Sequence, residues 1–212
     1  MTISLKLLET EAQISKNINR ALADRFNTIL KQRANNIVSR IQNLIPGWIK
    51  SQPEMISLLS STPDSLAGQF GIYQDVNTII SSIANSVAQA ISIKIKPYTS
   101  NLKNGGFELN VQPIDFINLL GLPEGHTVYE SGDLHWLNWL LTRGDQVIVV
   151  GYEYNPQTGL GRSKLGNMRE GTAFRVPPQF SGTEDNNFIT RALTGQQQEK
   201  EITKIFQDVL GA

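Results

Sequence analysis

The sequence predicts an α+β fold: long N-terminal amphipathic helices, a small, mainly antiparallel β-sheet with an inserted helix, and C-terminal helices. Three observations predict it. Apolar residues recur every three or four positions through the first ninety residues, the spacing of one helix face. At Ile91 the period changes to strict alternation, the spacing of a strand with one wet face. Helical spacing then returns near the C-terminus. These changes divide the chain into a helical region over 1–90 and a sheet with helices over 91–212, together expected to form one compact domain. A chain of 212 residues can bury the core this needs.

Each element has its own signal. Ile14, Ile18, Leu22, Phe26, Ile29, Ile37, Ile41 and Leu44 share one face of a long helix, interrupted at Arg33 and expected to stop at Pro46-Gly47. Such a stripe is too long for a small domain to cover alone. Part of it is expected against a neighbouring subunit or against the second helix of its own domain. A short helical piece spans Glu54 to Ser60, and Thr62 followed by Pro63 gives the next start signal, with Gly68 and Gly71 ending it. Asp75 opens a helix whose Val76, Ile79, Ile80, Ile83, Val87 and Ala90 form an apolar face.

Ile91, Ile93 and Ile95 then alternate with Ser92, Lys94 and Lys96, and Phe107, Leu109 and Val111 repeat the pattern after the turn-rich YTSNLKNGG. The two runs predict an antiparallel hairpin. PIDFINLLGLP reads as a short helix or an irregular apolar segment, and LHWLNWLLTRG as a helix ended by Gly144. DQVIVVGYEYN is a strand that returns through RSKLGNM or the residues just after it. Thr183 is an N-cap candidate before FITRAL, with Gly195 as its C-cap. A final helix over EKEITKIFQDVL should bury Ile202, Ile205, Phe206, Val209 and Leu210.

Composition narrows function mainly by exclusion. The 19 basic and 19 acidic residues cancel, so no global field draws the chain to nucleic acid or an anionic membrane. The absence of cysteine excludes disulfides, thiolate catalysis and cysteine-ligated metals. With His126 and His135 as its two histidines, the chain is not expected to hold a histidine-rich metal site, and no cofactor is expected. Charged residues at Lys6, Glu9, Glu11 and Lys16 interrupt any secretory signal, and no window approaches a membrane span, so a cytoplasmic protein without a membrane partner is expected.

The stretch NPQTGLGRSKLGNMREG, residues 155–171, holds four glycines and three basic residues directly after a strand-like run. It contains no Gly-Lys-Ser/Thr, so a Walker loop is excluded, and Gly159-Leu160-Gly161 has Lys164 where a dinucleotide fingerprint needs its third glycine. Asn155-Pro156 and Thr158-Gly159 are turn chemistry, and a hairpin tip is expected. Arg162, Lys164 and Arg169, with Pro177 and Pro178 of the FRVPP run, are the candidate interface residues, facing a neighbouring subunit or DNA. Asp133, His135 and Glu130 form a possible acid–base group, yet no nucleophile elbow accompanies them, and Trp136, Leu137, Trp139 and Leu140 beside them read as a packing face. No catalytic residue is therefore assigned, although a hydrolase using these three groups is the alternative to a binding role. A small regulatory protein-binding module is a third.

GDLHWLNWLLTRGD, GRSKLGNM, FRVPP and SGTEDNNFITRAL, in that order over roughly residues 118–195, resemble structural proteins of tailed bacteriophages, those of the virion neck, head–tail connector or tail-completion type. The first hundred residues match by pattern alone. The resemblance implies a viral structural protein without an active site, forming a homo-oligomeric ring in the virion at the head–tail junction. Its implied partners are neighbouring connector, portal-adaptor or tail-tube proteins, with non-specific contact to channel DNA possible at the basic loop. Assembly would take place in the bacterial cytoplasm, which the lack of cysteine suits.

Overall fold

A computed structural model describes residues 9–110, 116–129 and 132–211. The fold is α+β, and among the described residues the strands pair as three two-stranded antiparallel sheets. The chain forms two compact units that interleave along the sequence. One comprises residues 1–40, 92–110 and 203–212; the other comprises 41–91 and 111–202.

In the first unit, helix α1 (Glu11–Lys50) contributes its residues up to Arg40, and helix α8 (Gln196–Leu210) its last eight. Strands β1 (Ser92–Lys96) and β2 (Gly106–Asn110) form the predicted hairpin, with Ile93 opposite Leu109 and Ile95 opposite Phe107. Lys96 and Glu108 pair across it at 2.9 Å. The bond from Lys96 and its charge hold the Glu108 carboxyl below its usual range. Asn27 clasps the backbone of Tyr98, accepting from its N–H at 2.7 Å and donating to its carbonyl at 3.0 Å. Phe107 meets Phe206 of α8 with ring centroids 5.5 Å apart. The buried side of α1 here is Ala23, Leu30, Ala34 and Ile37, whereas Ile18, Leu22 and Phe26 of the expected inner face are exposed. On α8, Ile205 and Val209 are buried, Ile202 and Phe206 half-buried, and Leu210 exposed against expectation. Val111 lies outside the described residues.

The second unit holds the larger core. Helix α1 does not stop at Pro46 but runs on to Lys50. An internal proline costs about 3 kcal/mol, but Ile45, Trp48 and Ile49 are all buried around it, at roughly 1.5–3 kcal/mol each, so burial outweighs the missing N–H. Trp48 also donates its indole N–H to Glu201 at 3.0 Å. Helix α2 (Pro53–Leu59) places Glu54 in the interior, where Arg191 pairs with its carboxylate.

The start signal at Thr62-Pro63 is displaced. Helix α3 (Leu66–Gln69) is capped by Ser65, whose hydroxyl accepts from the Gly68 N–H at 3.2 Å, while the Pro63 carbonyl accepts from the Tyr154 hydroxyl at 2.6 Å. Burial raises the Tyr154 pKa. Helix α4 (Val76–Gln89) starts at Asp75 as predicted, with Ile79, Ile80, Ile83 and Val87 buried. Bonds from the Thr78 hydroxyl and the Asn77 N–H lower the Asp75 pKa.

Helix α5 (Ile117–Leu120) and a 3-10 turn (Pro123–Gly125) lead to the short strands β3 (Thr127–Tyr129) and β4 (Gly132–Leu134). Helix α6 (Trp136–Asn138) continues as a π turn, Trp139–Arg143, ended by Gly144 at φ +62°. Helix α7 (Phe188–Leu193) is capped by Asn187 rather than Thr183. Thr183 instead opens a turn by accepting from the Asn186 N–H. Asn187 accepts from the N–H groups of Ile189 and Thr190 and donates to the Leu141 carbonyl at 3.3 Å. One side chain thus caps α7 and satisfies a carbonyl of the π turn. The C-cap is Thr194, not Gly195, whose carbonyl already accepts from Glu199 in the first turn of α8.

Candidate functional site

The stretch 155–171 is a hairpin tip with its return strand. Strand β5 (Val149–Asn155) pairs with β6 (Asn167–Phe174) from Val149 opposite Phe174 to Asn155 opposite Asn167, with an irregularity beside Gly151. In the loop, Gly159 donates to the Lys164 carbonyl at 2.8 Å, Lys164 to Gly161 at 3.2 Å and Gly166 to Leu160 at 3.1 Å. These N–H groups are spent on the loop's own carbonyls. A phosphate cradle needs them turned outward, so the local hydrogen bonds argue against one. Gly161, at φ +69°, has the Gly166 carbonyl where a Cβ would stand, which leaves glycine the residue that fits.

The five candidate interface residues do not form one patch. Arg162 folds back on its own unit: its guanidinium lies 4.6 Å from the Tyr129 ring centroid and 5.5 Å from that of Tyr73, and it donates to the Val128 carbonyl. Tyr129 in turn donates to the Phe70 carbonyl at 2.7 Å, and burial raises its pKa despite the nearby guanidinium. Arg162 therefore ties the loop to β3. Lys164 is exposed, with φ +62°, and makes no ion pair among the described residues. Arg169 pairs with Glu153 across the ribbon at 2.6 Å. Pro177 and Pro178 line a hollow of about 410 Å³ with Asp64, Tyr154 and Arg175.

Among the described residues, the β5–β6 ribbon has no third strand. Its middle is exposed on both strands, with Val150 at 78% and Tyr152 at 48% relative exposure. A two-stranded ribbon is marginal in water without an apolar face to cover it, and its outer edges offer unpaired N–H and C=O groups.

A second cluster forms at the β3–β4 hairpin. Val128 pairs with Asp133 and Thr127 with Leu134, so the next positions outward are His126 and His135. Asp133 lies in β4, and His126 and His135 directly flank the two strands, so all three side chains come together at one end of the hairpin. Asp133 Oδ2 lies 2.7 Å from His126 Nδ1 and 3.6 Å from His135 Nε2. The two imidazoles stack with centroids 5.0 Å apart. Asp133 and His135 also line an open cavity of about 710 Å³ with Trp139, Arg143, Tyr152 and Phe174. The sequence grouped Asp133 with His135 and Glu130 and gave His126 no role; Glu130 lies outside the described residues.

Among the described residues, no serine or threonine hydroxyl is hydrogen-bonded to either imidazole, so the cluster lacks the nucleophile–base contact of a hydrolytic triad. No helix among them is long and apolar enough to cross a membrane. Comparison with protein-family models, with curated proteins and with solved structures finds no match.

Proposed function

We propose that the protein is a structural subunit of a tailed-bacteriophage virion, forming a homo-oligomeric ring at the head–tail junction and joining neighbouring rings. The observation that carries this reading is the β5–β6 ribbon, which presents Val150 and Tyr152 to solvent. Such a surface gains by being covered, and copies arranged around an axis cover it without an additional partner. The exposed Ile18, Leu22 and Phe26 on α1 give a second apolar surface of the same kind in the other unit. The resemblance of roughly residues 118–195 to phage neck and tail-completion proteins supplies the location. Imaging virions that carry a tagged copy tests it: density and label in a ring between head and tail are expected, and a protein absent from the particle would refute the reading.

One observation favours a second reading, a hydrolytic enzyme. Asp133 is hydrogen-bonded to His126 and lies 3.6 Å from His135, and Asp133 and His135 line the cavity of about 710 Å³. That reading predicts cleavage of cell-wall or nucleic-acid polymers that disappears in Asp133→Ala and His135→Ala; activity surviving both removes it.

A further inference from the structure

We infer that His126, Asp133 and His135 form a binding site for a divalent transition metal of the zinc class. Three donors of the right chemistry converge: two imidazole nitrogens and one carboxylate oxygen, all within 4.8 Å of one another. This donor set suits Zn²⁺ and its neighbours in the first transition row, whereas Mg²⁺ and Ca²⁺ prefer oxygen ligands throughout.

The distances are close to those of an ion site. Asp133 Oδ2 stands 2.7 Å from His126 Nδ1 and 3.6 Å from His135 Nε2, and one donor atom from each of the three residues lies within 4.8 Å of the others. Donors around a tetrahedral zinc with bonds of about 2.0–2.2 Å are about 3.3–3.6 Å apart, so the Asp133–His135 separation already suits the ion and the Asp133–His126 pair must open by about 0.6 Å or more. The rings stand nearly parallel, with 9° between their planes, and one must turn for both lone pairs to meet the ion. His135 has room to do so, its side chain being 58% exposed.

The backbone already supplies the placement. Asp133 lies in β4, and the other two donors are the residues that directly flank the paired strands. The ion would replace the present Asp133–His126 hydrogen bond and close the hairpin against the start of α6. Three protein donors leave the fourth position of a tetrahedral ion to water, as the exposure of the cluster allows. This inference is independent of the ring proposal, since a ring could assemble with or without the ion.

The test uses the full-length protein, stripped with a chelator and titrated with ZnCl₂ by calorimetry and with CoCl₂ by visible absorption. One ion per chain, a rise in thermal midpoint with Zn²⁺ and the intense d–d bands of low-coordinate cobalt are expected. His126→Ala and Asp133→Asn should each weaken Zn²⁺ binding about a hundredfold or more while circular dichroism stays unchanged. The cobalt spectrum of the wild-type protein decides the matter even if a variant misfolds. No binding by the wild type, or binding that both folded variants retain unchanged, would overturn the inference.

Discussion

Helix α7 and strand β6 are close in length and in sequence, and they use their side chains in opposite ways. In α7, Phe188, Ile189, Ala192 and Leu193 are buried, and Asn187 satisfies the N–H groups at its start. In β6, the five residues from Met168 to Thr172 are all exposed, and so are Val149, Val150, Gly151 and Tyr152 of the partner strand β5. The helix spends its apolar residues on the fold, whereas the ribbon buries Phe174 at the end of β6 and holds Val150 and part of Tyr152 out to water. Substitutions in the two regions should therefore separate stability from assembly.

The largest expected effect is in the helix. Phe188→Ala removes a fully buried ring and should destabilise the protein by about 3–5 kcal/mol, read as a lower urea midpoint. Asn187→Ala removes the cap of α7 and the donor to the Leu141 carbonyl, and about 1–2 kcal/mol should be lost. Its effect should exceed that of Thr183→Ala; equal losses would break the assignment of the cap. The smallest effect on stability is expected in the ribbon. Val150→Ser should leave the unfolding free energy within about 0.5 kcal/mol of the parent yet reduce incorporation into particles. If that change destabilised the isolated chain as much as Asn187→Ala, the ribbon would belong to the fold and the contrast with α7 would fail.

How far each feature was legible in the sequence depended on whether its cause was local. The β1–β2 and β5–β6 hairpins follow from alternation and turn residues, and Asp75 was recognisable as a cap because its partners Asn77 and Thr78 are adjacent. Pro46 misled because the burial that overrides it, of Ile45, Trp48 and Ile49, is tertiary. Thr183 misled for a related reason: Asn187 prevails partly through Leu141, which is 46 residues away. The failed glycine templates of 155–171 were readable directly, but the return of Arg162 onto Tyr73 and Tyr129 was not, since nothing local links those positions. His126 could have been grouped with Asp133 and His135 had residues 127–134 been read as a hairpin, because the pairing then brings its two flanking residues to the same end as Asp133. Two three-residue strands carry too little alternation to show that.

The central claim is that the exposed ribbon is an interface between copies of this chain. Its most direct test is a photo-crosslinking amino acid at position 150, activated in assembled particles and analysed by gel and mass spectrometry. Adducts joining two or more copies through the ribbon are predicted; chains that remain single, or that link solely to unrelated proteins, would contradict it.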